Sequence, residues 1–216
     1  MKLTTVMVLL TLWVPAAFCS NGPAVARVNG EEISQLRLER YFAEYLEDQG
    51  RAVASIRSPS AYKQLRTAAL DALIDKELLW QEAQRRGIIV SDEQVSAQVG
   101  ALEAAFGSPA LFEQRLADAG FDRAGYAEYM RHEMAAQQAY AQLSVVDAPS
   151  SAEVEAFYQA NRQTLQGTQN QSDMPSVIRE QGLALARDAL VGQLQAQSRQ
   201  AVRQRLRESA TVQIAN

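Results

Sequence analysis

The chain has 216 residues, of which 47% are hydrophobic and 21% are charged, as is typical of a globular protein with one domain or one domain plus a small appendage. Its formal net charge of −4 at pH 7 argues against nucleic acid or an anionic membrane surface as a partner, because both require a basic face. Cys19 is the only cysteine and His132 is the only histidine. The sequence therefore offers no disulfide, no thiol nucleophile beyond residue 19 and no histidine-based metal site, and we expect no cofactor.

Residues 1–19 are typical of a signal peptide, because Lys2 precedes an apolar run at 6–14 and a small-residue zone that ends at Cys19. The apolar run is shorter than the roughly 20 residues that span a bilayer. Cleavage after Cys19 predicts a soluble periplasmic protein, whereas acylation of Cys19 predicts a lipid-anchored one; the bulky Phe18 disfavours acylation. No later segment is apolar enough to predict a transmembrane span.

The first elements are predicted from alternation and helix signals. Residues 24–30 alternate and end in Asn-Gly, which indicates a short strand followed by a turn. Ser34 is a candidate cap for a helix that runs to about residue 48. A polar connection with Pro59 leads to a helix at about 61–86, which is apolar on two sides and is predicted to be the central helix of the core.

Three shorter helices are predicted next. Ser91 opens the first with a capping-box pattern, Ser108 and Pro109 open the second, and Asp122 caps the third, which runs towards Pro149. Another capping box, at residues 150–153, opens a fourth helix.

The end of the chain predicts a loop, a long helix and a strand. Residues 166–173 contain no apolar residue and indicate the loop, and 175–208 indicate one helix of about 50 Å. Its polar middle, residues 193–200, is predicted to lie in solvent or in a cleft. The closing strand at 210–214 is predicted to pair with the first strand.

No catalytic motif is present in this chain: we find no glycine-rich phosphate loop, no nucleophilic triad and no zinc motif. What remains is a set of methionine and aromatic side chains in the middle of the sequence. Such side chains line adaptable peptide-binding grooves, although they also pack ordinary cores. The predicted peptide-binding residues are Phe106, Phe112, Tyr126, Tyr129, Met130, Met134 and Phe157.

Residues 69–95 resemble the N-terminal chaperone domain of the SurA/PrsA/PpiD-type foldases. The shared elements are the helix with Leu73-Ile-Asp-Lys-Glu-Leu78, the Arg-Arg-Gly stop at 85–87, and Val-Ser-Asp-Glu at 90–93. Further similar segments are the first strand at 25–33, the helix at 151–161 and the closing helix and strand at 206–214. The resemblance implies a mostly helical module in which the two ends of the chain fold together.

The chain departs from this family between its last two helices. In the family a parvulin prolyl isomerase domain of roughly 90 residues usually stands there, whereas this sequence has only residues 166–173. Residues 20–216 are therefore predicted to form one chaperone domain, with parts at 24–165 and 174–216 and no isomerase.

The resemblance implies a periplasmic, non-enzymatic holdase for unfolded or extended polypeptides, including exported and outer-membrane proteins. Two alternatives stay open: a dedicated accessory factor of an export or envelope complex, anchored through Cys19, and a prolyl isomerase with an unrecognised site. The sequence leaves open whether the protein forms a homodimer.

Overall fold

The computed structural model describes residues 22–166 and 176–215, so the predicted signal peptide and most of the predicted 166–173 loop lie outside it. The described chain contains a three-stranded antiparallel sheet with the order β2-β1-β3. The strands are β1 (Ala24–Val28), β2 (Glu31–Ser34) and β3 (Val212–Ile214). The predicted pairing of the two ends of the chain is confirmed, since Val28 lies opposite Val212 and Ala26 opposite Ile214.

The strand β2 is a feature that the sequence analysis missed. Asn29 and Gly30 both have positive φ angles, of 53° and 93°, and form a two-residue hairpin loop between Val28 and Glu31. Asn-Gly is the residue pair that such a tight turn prefers, and the turn directs the next residues back along β1. Glu31 and Glu32 have little intrinsic preference for strands, so the hairpin itself imposes β2.

Asn29 also holds the C-terminal strand. Its Oδ1 accepts the Thr211 backbone N–H at 2.8 Å, and its Nδ2 donates to Gln81 Oε1 at 2.8 Å. Gln81 in turn donates to the Val28 carbonyl at 3.0 Å. The turn is thus connected to both the end of the chain and the central helix.

We expect Asn29→Gly to lower the free energy of unfolding by about 1–2 kcal/mol. Glycine tolerates the positive φ angle, so the loss comes from two hydrogen bonds. Asn29→Asp keeps the acceptor for Thr211 and should lose less. Urea unfolding of the three proteins measures the difference, and equal midpoints would contradict the assigned role.

The main core surrounds one long central helix, as predicted. The helix α1 (Gln35–Glu47) packs against α2 (Pro59–Arg85), which begins two residues before the predicted position because Ser58 caps it and Pro59 occupies its first turn. Buried residues of the sheet and of four helices meet here: Ala26, Val28, Ile33, Leu38, Phe42, Leu46, Ala69, Leu70, Leu73, Ile74, Leu78, Leu79, Ala136, Val202 and Leu206.

A second layer stands on one side of α2. It consists of α3 (Asp92–Ala105), α4 (Pro109–Asp118) and α5 (Arg123–Leu143). The capping box predicted at Ser91 is present, with both reciprocal hydrogen bonds to Gln94. Phe112 and Leu116 of α4 are buried against α3 and α5 and close this layer.

The last two helices form an appendage with a small core of its own. The helix α6 (Ser151–Gln166) packs along the first half of α7 (Ser176–Glu208), and Val154, Tyr158 and Ala186 are buried between them. The other end of α7 reaches the main core through Val202 and Leu206. Between the two contacts, six of residues 193–200 are exposed, so of the two predicted settings, solvent or a cleft, the polar middle lies in solvent.

Within the two described ranges, no helix carries an apolar stretch long enough to cross a bilayer.

Candidate functional site

The helix α5 packs through alanines, and its larger apolar side chains are only partly buried. Its N-terminus is capped by Asp122, whose Oδ1 accepts the Gly125 N–H at 2.7 Å. Its buried residues are Ala135, Ala136 and Ala139, which allow a close approach to α2. Tyr126, Met130 and Met134 recur every four residues along a neighbouring stripe and are only half-buried. These side chains therefore lie at the rim of the core.

The first depression on this surface lies between α3 and α5, and we call it the methionine groove. Its volume is about 520 Å³, within the range of ordinary ligand clefts. It is lined by Gln98, Met130, Glu133, Met134, Gln137, Gln138 and Ala141. The lining combines adaptable thioethers with amide groups, and Glu133 is the one charged residue among the described residues that line it. Such a surface can contact apolar side chains and donate hydrogen bonds to a peptide backbone.

A second depression, the α2–α5 groove, lies beside the first and has a volume of about 450 Å³. It is lined by Ala72, Asp75, Lys76, Leu79, Glu133, Ala136, Gln137, Tyr140 and Arg203. Glu133 and Gln137 belong to both grooves, so the grooves form one band across α5. The floor is apolar, and the charged residues at its edges are paired with one another or with neighbouring side chains.

The charge of Glu133 is balanced inside the protein. Lys76 Nζ donates to Glu133 Oε2 at 2.7 Å and lies 3.5 Å from Glu44 Oε1, and the Tyr129 hydroxyl donates to Glu44 Oε2 at 2.8 Å. Burial alone would lower the pKa of Lys76, but the Glu133 and Glu44 carboxylates outweigh it and raise this pKa. Burial, followed by the same two carboxylates, raises the pKa of Tyr129 well above its usual range.

This network predicts a loss of stability in alkali. The folded chain retains protons on Tyr129 and Lys76 that the unfolded chain releases, so the free energy of unfolding falls as the pH rises above about 10. Tyr129→Phe removes the tyrosine contribution, so we expect a shallower fall. Urea midpoints between pH 7 and 11.5 measure it, with Tyr62→Phe on the surface of α2 as the control. A slope that Tyr129→Phe leaves unchanged would contradict the prediction.

Four of the five predicted aromatic residues, Phe106, Phe112, Tyr126 and Tyr129, lie at one end of this layer rather than in the grooves. Phe112 is 1% exposed and packs 5.7 Å from Phe106 and 6.0 Å from Tyr126, measured between ring centroids. Phe121, which the sequence analysis did not select, lies edge-on to Tyr126 and tilted against Tyr129, with ring centroids 5.6 and 5.4 Å apart. Phe112 is therefore a core residue that a peptide at the surface does not reach, whereas Phe106 is 38% exposed.

The structure brings together only part of the predicted set. Met130 and Met134 line the methionine groove, and Tyr126 precedes them on the same stripe of α5. Tyr129 points into the polar network with Glu44. Phe157 belongs to α6, where it packs against the small core of the appendage.

The groove residues that sequence reasoning missed are polar. Gln98, Gln137 and Gln138 line the methionine groove, but an amide on a helix is usually a solvated surface residue. The one available signal is spacing, since residues 137, 138 and 141 follow Met134 by three, four and seven positions.

His132 lies on α5 outside both grooves. Its ring stacks on Trp80 with centroids 4.0 Å apart and an interplanar angle of 18°. Desolvation, followed by the Arg37 charge, lowers the pKa of His132, so the ring is neutral at pH 7. Among the described residues, no group of three or more histidine, cysteine or acidic side chains is placed to hold a metal ion.

The comparisons with known proteins agree with this architecture. The chain matches no curated protein. A solved chain that it does match comes from work on two structurally related SurA-like chaperones of the human pathogen Campylobacter jejuni, the virulence factor PEB4 and the periplasmic protein Cj1289. The TM-score is 0.55 at 10% identity, over 89% of this chain and 99% of the solved one, which is a likeness of fold. The model of the SurA-like N-terminal domain matches residues 1–140, more than half of the sequence, and the chain therefore belongs to that family.

Proposed function

We propose that this protein is a periplasmic, non-enzymatic holdase that binds unfolded exported polypeptides, including outer-membrane proteins, along the band of grooves on α5. Membership of the SurA-like family supports a periplasmic chaperone role in general. The observation that carries the finer proposal is the methionine groove, which Met130 and Met134 line as partly buried side chains between α3 and α5.

The chemistry of the groove suits many different client sequences. Methionine is unbranched and polarizable, so it can repack around different apolar side chains. Gln98, Gln137 and Gln138 offer donors and acceptors to an extended backbone, whichever side chains that backbone carries. Because Lys76 balances Glu133, the groove presents no uncompensated charge that a client must neutralise.

Release from such a surface requires no nucleotide. A shallow groove of this size makes few contacts, so the complexes are weak and dissociate quickly, and a client that folds buries the segment that the groove held. This model predicts affinity for extended segments and none for folded proteins.

The direct test is suppression of aggregation. We expect the purified protein, at equimolar concentration, to reduce light scattering by several unrelated unfolded proteins as they are diluted from denaturant. The same proteins in their folded state should not co-elute with it. Failure with every client would contradict the holdase proposal, and protection of one co-purifying partner alone would favour the dedicated accessory factor.

The non-enzymatic part of the proposal has its own test. We expect no acceleration of prolyl cis/trans exchange in a proline-containing peptide, an exchange that takes tens of seconds or longer without catalysis. Measurable acceleration by the purified chain would overturn this part and would leave the binding proposal intact.

A further inference from the structure

One surface of the protein has a charge opposite to that of the whole. Residues 50–70 contain Arg51, Arg57, Lys63 and Arg66 and no acidic residue, although the chain carries a net charge of −4. Three acidic residues flank the segment: Glu47 and Asp48 lie just before it, and Asp71 directly follows it. Even with all three included, the local charge is positive.

The segment is ordered by contacts with α1 and with the main core. The Arg51 N–H donates to the Leu46 carbonyl at 2.9 Å, and a single 3₁₀ turn follows at Val53–Ser55. Ile56 then packs against the main core. At the start of α2, the ring of Tyr62 stands edge-on to Phe42, with centroids 5.3 Å apart. The charged side chains are thus presented on a fixed framework.

The four cations have no acidic partner among the described residues. Arg51, Arg57 and Lys63 are exposed and Arg66 is half-buried, and none of them takes part in an ion pair of the described chain. On the neighbouring helix α7, by contrast, Arg207 pairs with Asp71 and Asp75.

Two apolar side chains are exposed among these cations. Val53 in the 3₁₀ turn is 42% exposed, and Tyr62 on the first turn of α2 is 38% exposed. An aliphatic group and a phenol beside basic residues form the combination that enters the boundary between lipid headgroups and acyl chains.

We propose that this basic surface, formed by Arg51, Val53, Arg57, Tyr62, Lys63 and Arg66, binds peripherally to bilayers that contain anionic phospholipid. Its cations are spread over a loop and two helical turns, which suits mobile headgroups that can gather under each charge. The net charge of the whole chain does not prevent this contact, because salt screens charges farther away than about 8–10 Å. A holdase on such a surface would keep its grooves close to the membrane that its clients cross or enter.

The test compares vesicles that contain phosphatidylglycerol with vesicles of phosphatidylcholine alone. The readout is the ratio of the two partition coefficients in co-sedimentation, because an acyl chain or an apolar leader would bind both kinds of vesicle. We expect the ratio to exceed ten at about 0.1 M salt, where the distant acidic residues are screened, and to fall towards one at about 1 M salt. Each cation near an anionic surface contributes about fivefold to binding. The combined variant Arg51→Gln, Arg57→Gln and Lys63→Gln should therefore lower the ratio of partition coefficients about a hundredfold, with a ratio of one as the lower limit.

The control removes the same charge elsewhere. The variant Arg115→Gln, Arg187→Gln and Arg205→Gln changes three exposed arginines outside the basic surface and should leave the ratio within about twofold of the original. Equal losses in both variants, or a ratio of one for the unchanged protein, would overturn the proposal. Binding of polyglutamate, but not of vesicles, that depends on Arg51, Arg57 and Lys63 would assign the surface to acidic polypeptides instead.

Discussion

Replacement of Met130 and Met134 by aspartate is expected to reduce client binding by the chaperone at least tenfold. Both side chains line the methionine groove, and a client there loses two apolar contacts and must also desolvate two carboxylates. Each effect opposes binding of apolar segments. Fluorescence anisotropy with a labelled, permanently unfolded client measures the affinity directly.

The control for this variant places the same substitution on exposed apolar residues elsewhere. Val145, after α5, is 74% exposed, and Leu185 on α7 is 53% exposed. Val145→Asp with Leu185→Asp should retain the affinity if the groove on α5 is the site. Equal losses in both variants would show that general surface hydrophobicity, rather than the groove, holds the client.

A second groove variant separates binding from folding. Met130 and Met134 also touch the core between α3 and α5, so their replacement has a cost in stability. Gln137 is exposed and lines both grooves, and Gln137→Asp adds a charge there without disturbing the core. We expect it to weaken binding severalfold at an unchanged melting temperature. Full affinity in this variant and in the folded methionine variant would rule out the band on α5 as the site.

Phe112→Ala is expected to lower the free energy of unfolding by about 3–5 kcal/mol, the usual cost of deleting a buried aromatic ring. Phe112 is 1% exposed and touches α3 and α5 from α4, so its loss leaves a cavity at the junction of three helices. The free energy of unfolding of a domain is only about 5–15 kcal/mol, so this one substitution is expected to remove a large part of it. Urea unfolding followed by circular dichroism gives the value.

Phe106→Ala is the matched comparison, six residues earlier and of the same chemistry. Its ring is 38% exposed, so we expect a cost of about 1 kcal/mol or less. Client affinity per folded molecule should be unchanged by Phe112→Ala. A small stability change at Phe112, or a selective loss of binding there, would contradict its assignment to the core.

The helices were predictable from the sequence because their start signals are local. Ser34, Ser91, Ser108 and Asp122 were predicted as caps, and each accepts a hydrogen bond from the backbone of the helix that follows. Ser58 caps α2 in the same way but was not predicted, so α2 begins earlier than expected. The apolar residues on two sides of α2 also identified it as the central helix, because a helix that is apolar on two sides must be covered on both. The strand β2 was not predicted because its residues do not favour a strand. It forms because the turn at Asn29 directs these residues back along β1.

The candidate site was only partly predictable. Spacing along α5 places Met130 and Met134 on one stripe, and this follows from the helical period alone. Which stripe of α5 faces the core depends on α2, whose close approach is permitted by Ala135, Ala136 and Ala139. The amides of Gln98 and Gln137 join the site only because α3 and α5 lie side by side.

By itself, the sequence determined the helical class of this protein and the starts of most helices, because capping and periodicity act over a few residues. It also indicated the pairing of the two ends, because each end carries a short alternating strand that needs a partner. Only the tertiary structure decided which of two similar side chains is buried and which is exposed. Phe106 and Phe112 share their chemistry and lie six residues apart, yet one is exposed and the other is enclosed. Burial is set by the helices that arrive from distant parts of the chain, and a local pattern does not specify which of them will cover a given side chain.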